Sequence, residues 1–177
     1  DACRAARLCK TDLLTDMVGE FPSLQGSMGC AYALQDGEPQ AVALAIKEHY
    51  FPKRAGAELP SSLLGAMVGL ADRIDTLSGC FGIGQVPTGT TDPFGLRRIS
   101  LAILHLVEHF ELALSLHDVV RKALSLYGDK VNGSAEIVQQ IVDFIRGRFV
   151  NDQLALGIDG EAVDAVTSVA FDDVNDS

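Results

Sequence analysis

Residues 61–81 read SSLLGAMVGLADRIDTLSGCF. Leu63, Met67, Leu70, Ile74, Leu77 and Phe81 follow one another at steps of four and three, the spacing that lines one face of an α-helix. Leu64, Val68 and Ala71 make the adjoining face apolar too. A helix apolar on most sides has to be surrounded by protein, so it belongs at the centre of a helical domain. Ser61 or Ser62 supplies a hydroxyl to cap its first turn. The stretch predicts an all-α fold.

The same period governs the segments on either side. Residues 2–18 place Ala5, Cys9, Leu13 and Met17 on one stripe, with Leu14 and Val18 widening it, which predicts a helix ended by Gly19 and Pro22. Pro22 suits the first turn of a second helix reaching Leu34, and Pro39 starts a third that must stop before Pro52. Thr91 or Asp92, followed by Pro93, opens a helix through about Phe110. Ser115 with Asp118 forms an S-x-x-D start for another, closed near Gly128. Ser134 opens an amphipathic helix through Ile137, Ile141, Ile145 and Phe149, and Ile158 with Val163 predicts a staple on a last short one. Alternating strand patterns and internal repeats are not found in the sequence.

Composition agrees with a globular protein: of 177 residues, 47% are hydrophobic and 21% charged. That length predicts one domain with a proper core, or one and a small appendage. Apolar runs fall short of the roughly 20 residues that cross a bilayer, so no membrane role is expected. DACRAARLCK lacks an initiator Met and resembles neither a signal nor a transit peptide, which suggests an excised piece of something larger. Cys3, Cys9, Cys30 and Cys80 show no C-x-x-C spacing and sit among apolar neighbours, so reduced thiols and a cytoplasmic setting are expected. A net charge of −10 argues against strong electrostatic binding of nucleic acid by this piece alone.

Several short motifs invite chemical readings. HLVEH, residues 105–109, matches the H-x-x-E-H zinc-peptidase pattern, but a catalytic zinc needs a third ligand and an open position. Glu111 is too near, and Glu136 and Glu161 belong to caps or first turns, so His105 and His109 read as surface or half-buried histidines. His117-Asp118 is a literal His-Asp dipeptide whose Asp is already explained by capping. The glycine-rich run at 79–94 follows a helix and lacks the G-x-x-x-x-G-K-[ST] cradle, so it reads as a connection. Asp72 and Asp75 in LADRID place two carboxylates inside the most apolar helix. Either they pair with Arg73, Arg97 or Arg98, or they belong to a polar site; structural pairing is the favoured reading.

Longer blocks carry a family resemblance. AARLCKTDLLTDMVGEFPSLQGSMG (5–29), YALQDGEPQAVALAIKEHYFPKRAG (32–56) and LADRIDTLSGCFGIGQVPTGTTDPFGLRR (70–98) closely resemble the β subunit of bacterial glycyl-tRNA synthetase. ALSLYGDK and IVDFIRGRF fit the same family, and the likeness weakens after about Asn151. The resemblance implies part of an α2β2 ligase that attaches glycine to tRNA(Gly) using ATP. The ATP, the Mg and the aminoacylation site would lie at the α subunit, and β would recognise and position tRNA. It further implies an HD-domain-like helical bundle over 1–115, lacking an N-terminal part, with extra helices over 116–177 packed on it and no C-terminal anticodon-binding domain. Gln35, Asp36 and Asp72 align with the family's HD-type metal positions. Gln35 stands where an imidazole would ligate, and a neutral amide is a poor transition-metal ligand, so neither a metal nor a catalytic residue is expected in this section. Arg4, Arg7, Lys10, Lys53, Arg54, Arg97 and Arg98 are the expected tRNA backbone contacts. Two other roles compete with tRNA positioning: a residual HD-type phosphohydrolase using Asp36 and Asp72, and a purely structural helical spacer.

Overall fold

A computed structural model describes residues 1–54, 56–167, 171 and 172. Among these residues the regular structure is helical, with nine α-helices and three short 3-10 turns. The residues fall into two compact units, 1–72 and 73–177, with the division inside helix α5 (Leu63–Gly82).

The first unit contains α1 (Ala2–Leu8), α2 (Asp16–Glu20), α3 (Ser27–Gln35), α4 (Gln40–Glu48) and the start of α5. Its core is built from small side chains: Ala5, Cys9, Ala33, Val42, Ala43 and Ala45 are buried around Ile46 and Val68. Small residues let backbones approach, and α3 packs on α4 while α1 packs on the same helix. Gly29 marks the closest approach, since a Cβ there would sit 2.8 Å from Ile46 Cγ2 and 3.2 Å from the Asp12 carboxylate.

The helix expected over 2–18 is broken. Residues Thr11–Leu14 form a 3-10 turn between α1 and α2. Thr11 Oγ1 donates to Leu8 O at 2.8 Å and Thr15 Oγ1 to Asp12 O at 2.7 Å. Hydroxyl-to-backbone bonds of this kind compete with the helical ladder and bend or end it. Asp12 completes the break by pointing inward, where it is 1% exposed and accepts the Gly26 N–H at 2.6 Å. The stripe divides accordingly: Ala5, Cys9 and Val18 are buried, while Leu13, Leu14 and Met17 are exposed. The helix expected from Pro22 to Leu34 is likewise a 3-10 turn (Pro22–Leu24) followed by α3, with Gly26 at φ 83° between them.

Helix α5 starts where the sequence places it, with Ser62 Oγ accepting the Gly65 N–H at 3.0 Å. Ala66, Val68, Leu70, Ile74, Leu77 and Phe81 are buried, but Leu63 and Met67 are each 49% exposed. The expected central helix is therefore buried on one continuous face and open at its first turns.

The second unit packs α6 (Leu96–His109) and α7 (Leu116–Leu126) on α8 (Ala135–Ala155), which also carries α9 (Gly160–Thr167). Ile103, Leu106, Leu116, Leu124, Ile141 and Ile145 are almost wholly buried, and Phe81 meets Phe144 edge-on at 5.3 Å. Ser115 caps α7 by accepting the Asp118 N–H at 3.1 Å, as the motif predicts. Helix α6 begins later than the sequence predicts. Asp92 caps it from four residues ahead, accepting the N–H groups of Leu96 at 2.8 Å and Arg97 at 3.0 Å, while Gly95 takes φ 65°. A carboxylate facing a helix N-terminus is favoured by the free N–H groups and the macrodipole.

Candidate functional site

Glu48 is the most elaborately held carboxylate in the first unit. It ends α4, is 4% exposed, and takes hydrogen bonds from the two serines that immediately precede α5. Ser61 N–H and Oγ donate to Oε1 at 3.0 and 2.6 Å; Ser62 N–H and Oγ donate to Oε2 at 3.0 and 2.5 Å. Burial pushes the carboxyl up, but those bonds outweigh it and hold the group below the ordinary Glu range. This arrangement ties two helices together and leaves the carboxylate no free side for chemistry. The hydroxyls of Ser61 and Ser62 were foreseen as caps, but the carboxylate they serve was missed. Its position on the buried side of α4, one turn after Ala45, was the available signal.

The three HD-like positions come from the end of α3 and from α5. Gln35 ends α3 and Asp36 follows it, both exposed, with the Asp36 N–H returning to Tyr32 O at 2.9 Å. Asp72 lies on α5 with its carboxylate 2.5 Å from Lys10 Nζ. An ammonium at that distance opposes a divalent cation at the same oxygen, and Gln35 adds only a neutral amide. Lys10 is a partner that the sequence reading did not name for Asp72. Asp75 is exposed, and its carbonyl accepts the Tyr127 hydroxyl at 3.1 Å.

The seven expected tRNA-contact cations divide by what already holds them. Arg4 binds both carboxylate oxygens of Glu38, Lys10 binds Asp72, and Arg97 reaches Gly89 O at 2.8 Å and Asp92 at 3.9 Å. Lys53 is exposed with its Nζ 3.4 Å from Gln25 O and 5.9 Å from the Phe51 ring centroid. Arg7, Arg54 and Arg98 are exposed.

The histidine motifs take structural partners. His105 Nε2 meets Asp152 Oδ2 at 2.9 Å, so α6 is fastened to α8, while His109 is exposed against the Phe110 ring edge. Glu108, between them, has its carboxyl pushed up by burial; the His105 charge lowers it and Asp152 raises it. His117 faces away from its sequence neighbour Asp118. Its Nδ1 lies 2.7 Å from Asp172 Oδ1, which also accepts the His117 N–H at 2.9 Å, whereas Asp118 pairs with Arg121 at 2.8 Å. Asp152 and Asp172 were missed because both partners lie in distant parts of the chain.

Against this geometry, a sequence model of the family described as glycyl-tRNA synthetase beta subunit matches residues 1–168. The chain belongs to that family. It is similar to the glycine–tRNA ligase beta subunit of Citrifermentans bemidjiense, 51% identical over 172 residues, covering 97% of this chain and 25% of that protein. The beta subunit of Geobacter sulfurreducens is 48% identical over 175 residues, covering 98% of this chain and 25% of its own length. That of Pseudomonas fluorescens is 49% identical over 170 residues, covering 94% and 24%. The chain thus spans about a quarter of the length of these glycyl-tRNA synthetase β relatives.

Proposed function

We propose that this chain is a section of a glycine–tRNA ligase β subunit that scaffolds the enzyme and positions tRNA(Gly), with no aminoacylation site of its own. The observation carrying this reading is about 50% identity to such subunits across nearly the whole chain. Glycine activation with ATP and Mg then belongs to an α subunit, in an α2β2 assembly working in the cytoplasm. The carboxylates support a scaffold: Glu48 and Asp72 are spent on Ser61, Ser62 and Lys10. Of the seven expected contact cations, Arg7, Lys53, Arg54 and Arg98 hold no carboxylate, Lys53 making a single long contact to a carbonyl.

Mixing the full-length protein with an α subunit tests the division of labour. Glycyl-tRNA should form only when both are present, and the full-length protein alone should give no glycine-dependent ATP–pyrophosphate exchange. Exchange by the β protein alone, or glycylation by α that β does not increase, would contradict the reading. Metal content and phosphodiesterase activity of the same protein, with Asp72→Ala beside it, address the HD-type alternative. Stoichiometric Mn, Fe or Zn lost in that variant would favour the hydrolase.

A further inference from the structure

Residues 83–95 join α5 to α6 as a loop tied down at several points. The N–H groups of Gly84 and Gln85 return to Phe81 O and Cys80 O at 2.9 and 2.8 Å, closing the end of α5. Thr88 and Thr91 then exchange backbone hydrogen bonds at 3.1 and 2.8 Å around Gly89, which takes φ 51°. Arg97 Nη2 holds that turn by donating to Gly89 O at 2.8 Å. On this frame Ile83, Val86 and Phe94 are 60, 39 and 50% exposed, and the threonines at 88, 90 and 91 are exposed as well. The guanidinium of Arg98 lies over Gly95, the residue next to Phe94. A Cβ on that glycine would sit 2.7 Å from Arg98 Nη2 and 3.4 Å from its Cζ.

The chemistry of these side chains selects their partner. From Gly79 to Arg98 the charged residues are Asp92, Arg97 and Arg98, one acid against two bases, in a chain of net charge −10. Asp92 is half-buried and occupied by the N–H groups of Leu96 and Arg97, so the exposed charge is the Arg98 guanidinium. Asp129 and Lys130, exposed on the segment that reaches Gly82 O through the Asn132 N–H, offset each other. An apolar protein surface closing over this loop would strip water from the guanidinium and the hydroxyls and offer no partner in return. An unpaired nucleotide matches all three kinds of group: its base stacks on a ring, its phosphate meets a guanidinium, and its ribose bonds hydroxyls. Bases inside an RNA helix are already stacked on one another and offer the ring no face. A loop held in place beforehand also loses little conformational freedom on binding.

We propose that Phe94 stacks on an unpaired nucleotide of the bound tRNA while Arg98 holds the adjoining phosphate. The proposal rests on the β-subunit reading above and adds a stacking residue to it. The full-length protein assembled with α tests it through tRNA(Gly) affinity at several salt concentrations. Phe94→Leu keeps an apolar side chain without a ring, and should weaken binding about ten-fold with the salt slope unchanged. Phe94→Trp keeps a ring and should bind within about two-fold of wild type. Arg98→Ala should weaken binding and make the log–log salt slope shallower by about 1. An azidophenylalanine at position 94 should crosslink to an unpaired nucleotide on irradiation, and one at position 58, an exposed acidic site, should not. A crosslink from position 94 to α, to a base-paired stem or to nothing overturns the stacking, as does equal affinity of the Leu and Trp variants. If wild type with α neither binds nor glycylates tRNA(Gly), the β-subunit reading falls and the stacking with it. If wild type does both and Phe94→Leu binds equally well, only the stacking falls.

Discussion

Glu48→Ala should lower the folding stability of the chain by about 3–5 kcal/mol, measured as the shift in urea unfolding. The alanine removes one acceptor group but strands four donors, the N–H and hydroxyl groups of Ser61 and Ser62, at a part-buried helix start. Glu48→Gln keeps the volume and should cost less, about 1–3 kcal/mol, because one amide NH2 then faces serine donors. The pH dependence has a definite sign. Since the folded carboxyl titrates below the ordinary Glu value, its contribution is fully present above the unfolded pKa and fades as pH falls through the lower folded one. Wild-type stability should therefore drop on acidification below about pH 4, and the Gln variant should lose less over the same range. Equal acid slopes for the two proteins would show that Glu48 is not held as described.

Gly65→Ala carries the second large effect, in a direction opposite to helix propensity. Alanine in a helix interior normally gains about 1 kcal/mol over glycine. Here a Cβ would sit 2.7 Å from Glu48 Cβ and 2.9 Å from its Oε2, so α4 and α5 must part or the carboxylate must leave Ser62. A net loss of about 2–3 kcal/mol is expected. Combined with Glu48→Ala, the loss should fall short of the sum by about 1 kcal/mol or more, because part of each penalty is the same broken contact. Strict additivity would mean that Gly65 is small for another reason.

Periodicity in the sequence carried the helices that pack by repetition. The stripe of α8, the serine starts of α5 and α7 and the stop before Pro52 all follow from local spacing and local chemistry. Asp12, Glu48, Asp152 and Asp172 escaped because each is explained by a group far along the chain: Gly26, Ser61 with Ser62, His105, and His117. Spacing rules are blind to such partners. The broken first helix had a local signal, since Thr11 and Thr15 each offer a hydroxyl to a carbonyl three residues back. Apolar stripe counting ranks Leu13 and Met17 as core, yet one inward-facing carboxylate at position 12 turns them outward.

The chemical motifs followed the same division. HLVEH placed His105 and His109 four residues apart, but tertiary packing sent one to Asp152 and left the other exposed. At the HD-like positions, Gln35 was legible as a poor ligand, whereas the ammonium of Lys10 on Asp72 required the fold. Of the seven basic positions, charge alone ranked none; structure ranks Arg7, Lys53, Arg54 and Arg98 above Arg4, Lys10 and Arg97, which already hold carboxylates.

The most direct measurement is tRNA(Gly) affinity of the full-length protein assembled with α, compared with its Arg7→Glu, Arg54→Glu variant at two salt concentrations. Positioning of tRNA by this section predicts weaker binding, a salt slope shallower by up to about 2 in log–log terms, and unchanged glycyl-adenylate formation. Unchanged affinity and slope, or loss of adenylate formation, would contradict it.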